Sequence, residues 1–190
     1  KKMLHNLDAC TFLDAQIQTY LQPLVPDGVS VLPALPFTYY TPDAPVANTP
    51  LRLVVPGTVS ALTRDFELLF AAFARVDAHI AAPIEVIFLG NAGTSRARPL
   101  FKLMAKHPLQ KINLQTFGNA LSRMEYANHL QSADFLLLPL REEIRFGIIR
   151  ERYGKTTISG GINDMLQFGK ATLLPAFYPL HPALDALTQR

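Results

Sequence analysis

The sequence predicts an α/β fold, a doubly wound parallel sheet with helices on both faces. From residue 51 onward, strand-like and helix-like segments alternate about five times, and parallel neighbours need such helical crossovers. The strand segments are almost continuously apolar, above all Ile84 to Leu89, as befits strands covered on both sides. The 190 residues are 49% hydrophobic and 17% charged, enough apolar matter for a sizeable core.

The first 40 residues are sparse in elements. Cys10 to Leu13 is a short apolar stretch, residues 15–22 carry a possible helix, and Val29 to Leu32 reads as a strand. These pieces are too few to enclose a core of their own. Residues 41–50 hold three prolines and no large apolar residue except Val46, the composition of an extended linker. The expected organisation is a remnant of another domain over 1–40, a linker over 41–50 and the sheet domain over 51–190.

Within that domain, Leu51 to Val55 is a strand ended by Pro56-Gly57. Thr63 is positioned to cap a helix in which Phe66, Leu69, Phe70 and Phe73 recur at helical spacing. Ile84 to Leu89 is the second strand, followed by a helix carrying Leu100, Leu103 and Met104. A strand over Ile112 to Phe117 comes next. Ser122 and Glu125 then have capping-box spacing, and their helix ends near Asp134. Phe135 to Pro139 is a strand, and residues 141–158 read as a charged loop. Ser159 to Phe168 is a short helix stopped by Gly169, and Ala171 to Leu174 is the fifth strand. Ligands of such sheets sit beyond the carboxyl ends of the strands. That directs attention to the loops at 56–63, 90–95, 117–122, 139–160 and 175–182.

Several classes of function are disfavoured. No apolar run reaches the roughly 18 residues of a membrane-spanning helix, and Asp8 follows Lys1-Lys2-Met3-Leu4 too soon for a secretory signal. One cysteine, Cys10, excludes an internal disulfide framework and fits a reducing, cytoplasmic location. The net charge of +3 suits an anionic ligand, but the cations are scattered rather than striped, which argues against nucleic acid. His5, His79, His107, His129 and His181 lack ligand spacing, so no metal is expected. No G-x-S-x-G elbow supports serine hydrolase chemistry. Glu142 and Glu143 are adjacent, so their side chains diverge and read as a solvated pair rather than a catalytic one.

Two segments carry candidate chemistry. In Pro56-Gly57-Thr58-Val59-Ser60, a glycine lets backbone approach a phosphate at a helix start, and Arg64 lies within reach. Between Arg141 and Lys155 there are five cations (Arg141, Arg145, Arg150, Arg152, Lys155) and three glutamates. Lys155, Thr156, Ser159 and Gly160 then open the next helix with charge, hydroxyls and a glycine, a combination suited to a diphosphate. Asp164, one turn in, is placed to accept hydrogen bonds from ribose hydroxyls.

Four stretches in order, VVPGTVSALTRDFELLFAAF, VIFLGNA, FGNALSRMEYANHLQSADFLLLPL and YGKTTISGGINDMLQFGKATLLP, resemble the C-terminal domain of glycosyltransferases of the two-Rossmann-domain (GT-B) type. That broad group includes glycogen synthases and bacterial sugar transferases of polysaccharide biosynthesis. The resemblance covers roughly residues 51–178 and makes the sheet domain Rossmann-like and nucleotide-sugar-binding. It implies donor diphosphate and sugar contacts at Gly57, Thr58, Arg64, Lys155, Thr156, Ser159 and Gly160. It also implies ribose contact at Asp164 and base contacts at Phe117, Gly118 and Asn119. A second glutamate of the family, eight residues before the ribose carboxylate, falls on Thr156, so the usual sugar-contacting carboxylate is replaced.

The activity implied is hexosyl transfer from a nucleotide diphosphate sugar to an unknown acceptor, with no cofactor and no required metal. Helix amides, Arg64 and Lys155 would stabilise the leaving diphosphate. The acceptor site and base belong to the family's N-terminal domain, which residues 1–40 only begin to build. Tyr39 and Tyr40 would pack against that half. The chain is therefore expected to be a fragment that transfers no sugar alone. The alternatives are a sugar-nucleotide epimerase on the same plan, or a non-catalytic Rossmann-like binding or interaction module.

Overall fold

The computed structural model describes residues 9–11, 18–20, 22–32, 48–179 and 188–189. Strands β1 (Ala9–Thr11) and β2 (Ser30–Leu32) pair in parallel as a sheet of their own. Residues 18–20 are helical, inside the helix expected over 15–22. Tyr39, Tyr40 and residues 41–47 of the expected linker lie outside the described residues. The linker's last part is tethered. Asn48 donates to Asp134 and to the Ser132 carbonyl, and Asp134 also accepts from the Arg52 amide at 2.7 Å.

The main sheet is built from β3 (Leu51–Val55), β4 (Ile84–Asn91), β5 (Ile112–Phe117), β6 (Phe135–Leu137), β9 (Thr172–Leu173) and β10 (Thr188–Gln189). Its order is β10-β9-β6-β3-β4-β5, with every pairing parallel. Counted along the sheet strands alone, this is the 3-2-1-4-5-6 order of doubly wound, Rossmann-like sheets. β10 is a sixth strand where five were expected. Helix α1 (Phe66–Asp77) joins β3 to β4, α2 (Arg98–Lys106) joins β4 to β5, and α3 (Arg123–Gln131) joins β5 to β6. Helix α4 (Gly160–Phe168) precedes β9.

Alternation along the central strands makes two cores. Val54, Ile87 and Leu89 face Leu130, Ile162 and Met165 of α3 and α4, whereas Val55, Val86 and Phe88 face Phe66, Phe70 and Leu100 of α1 and α2. Because successive strand residues point to opposite faces, both faces must be apolar, which explains the unbroken run in β4. At the amino edge, buried Asp77 accepts from the amides of Gln110, Lys111 and Ile112 at 2.8–3.0 Å. It thereby satisfies the donors where the chain turns into β5.

Two expectations are corrected. The cap of α1 is Asp65, whose side chain accepts from Leu68; Thr63 instead donates to the Ser60 carbonyl, two residues too early for a cap. Residues 141–158 are not simply a loop. β7 (Glu143–Phe146) and β8 (Ile149–Arg152) form an antiparallel hairpin. Its two-residue turn has Gly147 at φ 62°, the left-handed residue that a type II′ turn places first. By contrast the capping box at Ser122 and Glu125 forms in full, and Gly169 ends α4 in the left-handed conformation. Among the described residues, no helix is long and apolar enough to cross a membrane.

Candidate functional site

β3 and β6 lie side by side, and the order of connections reverses between them. In sheets of this order, such a reversal is where ligands bind, beyond the carboxyl ends of the strands. The two exit loops are fastened together: the Asp65 amide donates to Pro139 O at 2.7 Å, the Arg141 amide donates to Thr63 O, and Arg64 bridges Leu140. This fastening holds Arg64 between the loops, only 4% exposed.

The Arg64 guanidinium donates from Nη2 to Pro56 O at 2.8 Å and meets Ser159 Oγ at 3.5 Å through Nη1. Its Nε is buried with no hydrogen-bond partner among the described residues, and no described carboxylate lies within ion-pair distance. Burial lowers its pKa, opposed by the electrostatic pull of Tyr153, Tyr126 and Asp164. A buried cation lacking a paired anion is costly, because desolvation is not returned by a partner.

Gly57, at φ 80°, passes so close that a Cβ there would lie 2.9 Å from Arg64 Nη2. Its amide donates to Tyr126 Oη at 2.9 Å, and Tyr126 in turn donates to Asp164 Oδ2 at 2.9 Å. Burial raises the pKa of Asp164, while the Tyr126 bond and the Arg64 charge lower it. Burial likewise drives the Tyr126 phenol well above its usual range, helped by Asp164. Ser159 is buried and caps α4, its Oγ accepting from the Gly161 amide at 3.3 Å. The positive end of α4 therefore adds to the Arg64 field.

Gly57, Arg64, Ser159 and Asp164 thus come together, joined by Tyr126. Thr58 is exposed on the same loop, where Gly90 lets it close against β4: a Cβ at Gly90 would meet Gly57 O at 2.3 Å. Gly160 is exposed in the first turn of α4. Lys155 is exposed at the foot of the hairpin and lines a cavity of about 190 Å³ with Arg152, Tyr153, Phe177 and Pro179. Tyr153 connects that cavity to the Arg64 field. The Thr156 hydroxyl accepts from the Arg152 amide at 2.8 Å and donates to Glu151, so it closes the foot of the hairpin.

Phe117, Gly118 and Asn119 stand apart, at the end of edge strand β5 beyond β4. Phe117 packs on His129 at 5.3 Å, and Asn119 is exposed. Glu142 and Glu143 are exposed and face Arg152, as a solvated pair would. Sequence reasoning missed Tyr126, Tyr153 and the Pro56 carbonyl. Tyr126 follows the capping-box glutamate directly, so helix register from Ser122 was the available signal.

Chemically, the arrangement offers a fixed cation, a helix start and hydroxyls. The Ser159 hydroxyl faces a guanidinium rather than a histidine, and the Asp164 carboxylate is engaged by Tyr126, so Ser159 and Asp164 do not form a nucleophile-base pair. Among the described residues, no cluster of three or more His, Cys, Asp or Glu is placed to hold a metal ion. No protein-family model matches the chain, and no curated protein matches it.

Proposed function

We propose that this chain is a ligand-binding module whose crevice at β3 and β6 takes the diphosphate of a nucleoside diphosphate or of its sugar ester. One observation carries the reading: Arg64 is 4% exposed, has a buried Nε without a partner among the described residues, and is held between the loops leaving β3 and β6. An anion with several oxygens supplies the missing acceptors, and charge-assisted bonds of this kind are the strong ones. The start of α4 reinforces the same ligand charge. Lys155, across the cavity, supplies a second cation for a second phosphate or for a sugar. Asp164 would meet the ribose, and the loop at Phe117, Gly118 and Asn119 the base.

The narrower reading, in which the module is the donor half of a glycosyltransferase, rests on the ordered resemblance across residues 51–178. The binding-module reading has the closer support, since the Ser159 hydroxyl faces Arg64 and the Asp164 carboxylate is held by Tyr126, so neither serves the other as nucleophile or base. Titration calorimetry with uridine, guanosine and adenosine diphosphates, at low and high salt, tests the proposal. Binding is expected to weaken with salt and to fall about ten- to a hundredfold in Arg64→Met and in Lys155→Ala, because a hydrogen bond to a charged group contributes about 1.5–3 kcal/mol. Absence of heat with every nucleotide and with inorganic pyrophosphate overturns it. Sugar transfer by the chain alone would restore the enzyme reading.

A further inference from the structure

We propose that the tip of the β7–β8 hairpin docks on an anionic lipid surface, with Ile148 and Ile149 entering the interface and Arg145 and Arg150 meeting the headgroups. The inference is independent of the ligand site. Gly147 makes a tight two-residue turn, so the ribbon ends in a narrow tip. Ile148 at that tip is 100% exposed and Ile149 57% exposed. One residue pair back, Arg145 and Arg150 stand directly opposite each other, both exposed and neither within ion-pair distance of a described carboxylate.

Like charges directly opposed across two strands work against the pairing. At the foot of the ribbon the charge is compensated, since Arg152 pairs with Glu142 and Glu143. Buried Ile144 fixes that foot to the body of the molecule. Compensation therefore stops where the ribbon leaves the body. A two-stranded hairpin is marginal in water, and a solvated one is best served by a polar tip and opposite charges across the strands. Beyond its foot this ribbon carries the reverse of both.

An anionic lipid surface relieves both costs together. Apolar side chains enter the headgroup boundary by about 5–10 Å, and cations just behind them sit in the negative surface potential. A narrow convex tip suits a deformable interface. A protein groove of matching shape is the competing occupant, and the test separates the two.

The full chain is sedimented with phosphatidylcholine vesicles and with vesicles containing about one third phosphatidylserine. It is expected to follow only the anionic vesicles and to be released by salt. Arg145→Gln with Arg150→Gln should lower partitioning about thirtyfold, each cation near such a surface contributing about fivefold. Ile148→Ser with Ile149→Ser should also weaken binding but leave a salt-sensitive remainder. Because the chain has no tryptophan, Ile148→Trp provides a single indole, excited apart from the tyrosines, whose emission should shift to the blue on anionic vesicles. Unchanged circular dichroism separates lost binding from lost fold. No sedimentation with anionic vesicles, equal binding by the variants, or unmoved emission overturns the proposal, even if a protein partner is found for the tip.

Discussion

Arg64 and Asp77 are both buried and charged, yet their surroundings give them opposite consequences. Three amides converge on the Asp77 carboxylate, the Gln110 amide being the largest influence, and they hold its pKa below the ordinary carboxylate value. Its contribution is complete above the unfolded-state pKa, where both states are ionised. It is lost as pH falls towards the lower folded value, because the unfolded chain takes up the proton first. Asp77→Asn should flatten that acid limb in thermal melts recorded from neutral to acid pH, and should lower stability at neutral pH by presenting an N–H to one of the three amides. Parallel limbs in the two proteins would refute the assignment. Arg64 has no such set of partners. Its replacement by Met removes a desolvated charge and one good hydrogen bond to Pro56, so the unliganded Arg64→Met protein should be as stable as the original or up to about 2 kcal/mol more stable. A loss of several kcal/mol would mark Arg64 as a structural post between the loops. Sequence reasoning found Arg64 because it sits on the loop after the first strand, but its burial was not legible. Burial comes from the pairing of residues 63–65 with 139–141, a contact between segments about 75 residues apart that no local pattern encodes.

At the scale of single elements, local chemistry was legible wherever a short-range rule decides the outcome. Ser122 and Glu125 form the capping box that their spacing announces, and Gly169 stops α4 by adopting φ 59°. The hairpin had a signal too, a glycine after the alternating run Glu143-Ile144-Arg145-Phe146, but the three successive charges at Arg150, Glu151 and Arg152 read as loop. Gly160 and Gly161 show where such reading stops. In sequence they are equivalent openings of a helix. In the structure, a Cβ at Gly160 meets nothing within 4 Å, whereas one at Gly161 would lie 2.4 Å from Leu138 Cδ2 and 3.3 Å from Pro56 Cγ. Gly161 therefore sets how closely α4 approaches the ends of β3 and β6, and with it the distance from Ser159 to Arg64. Gly160→Ala should be neutral or stabilising by less than about 1 kcal/mol, since alanine restricts the unfolded chain and suits a helix. Gly161→Ala should cost about 1–3 kcal/mol through overpacking and weaken diphosphate binding as well. Denaturant melts of the pair decide this, and equal midpoints would show that Leu138 moves aside freely.

For the molecule as a whole, the sheet followed from periodicity because a strand apolar on both faces has few homes other than a parallel sheet between helix layers. Strand order did not follow from periodicity. It depends on which edge each crossover returns to, and β10, with two residues, carried no pattern to read. Yet that order creates the crevice, since the chain turns from one half of the sheet to the other between β3 and β6. Hydrogen exchange tests the resulting map across the whole chain. Amides of β3, β4 and β6, each paired on both sides, should exchange slowest, while those of the β7–β8 hairpin, a two-stranded ribbon outside the main sheet, should exchange faster than any in those three strands. Inorganic pyrophosphate should then slow exchange over residues 56–65 and 153–162, where Arg64, Lys155 and the start of α4 would share the anion. A nucleoside diphosphate should slow the same segments and add protection at 117–119, beyond β4, because only its base reaches that far. Protection by both ligands without the added patch would leave the anion site standing and remove the base from that loop. Protection confined to the cavity of about 160 Å³ that Phe66, Pro99, Lys102 and Arg141 help to line, on the α1 and α2 side, would instead move the ligand off the crevice and leave the unpartnered Nε of Arg64 without a purpose.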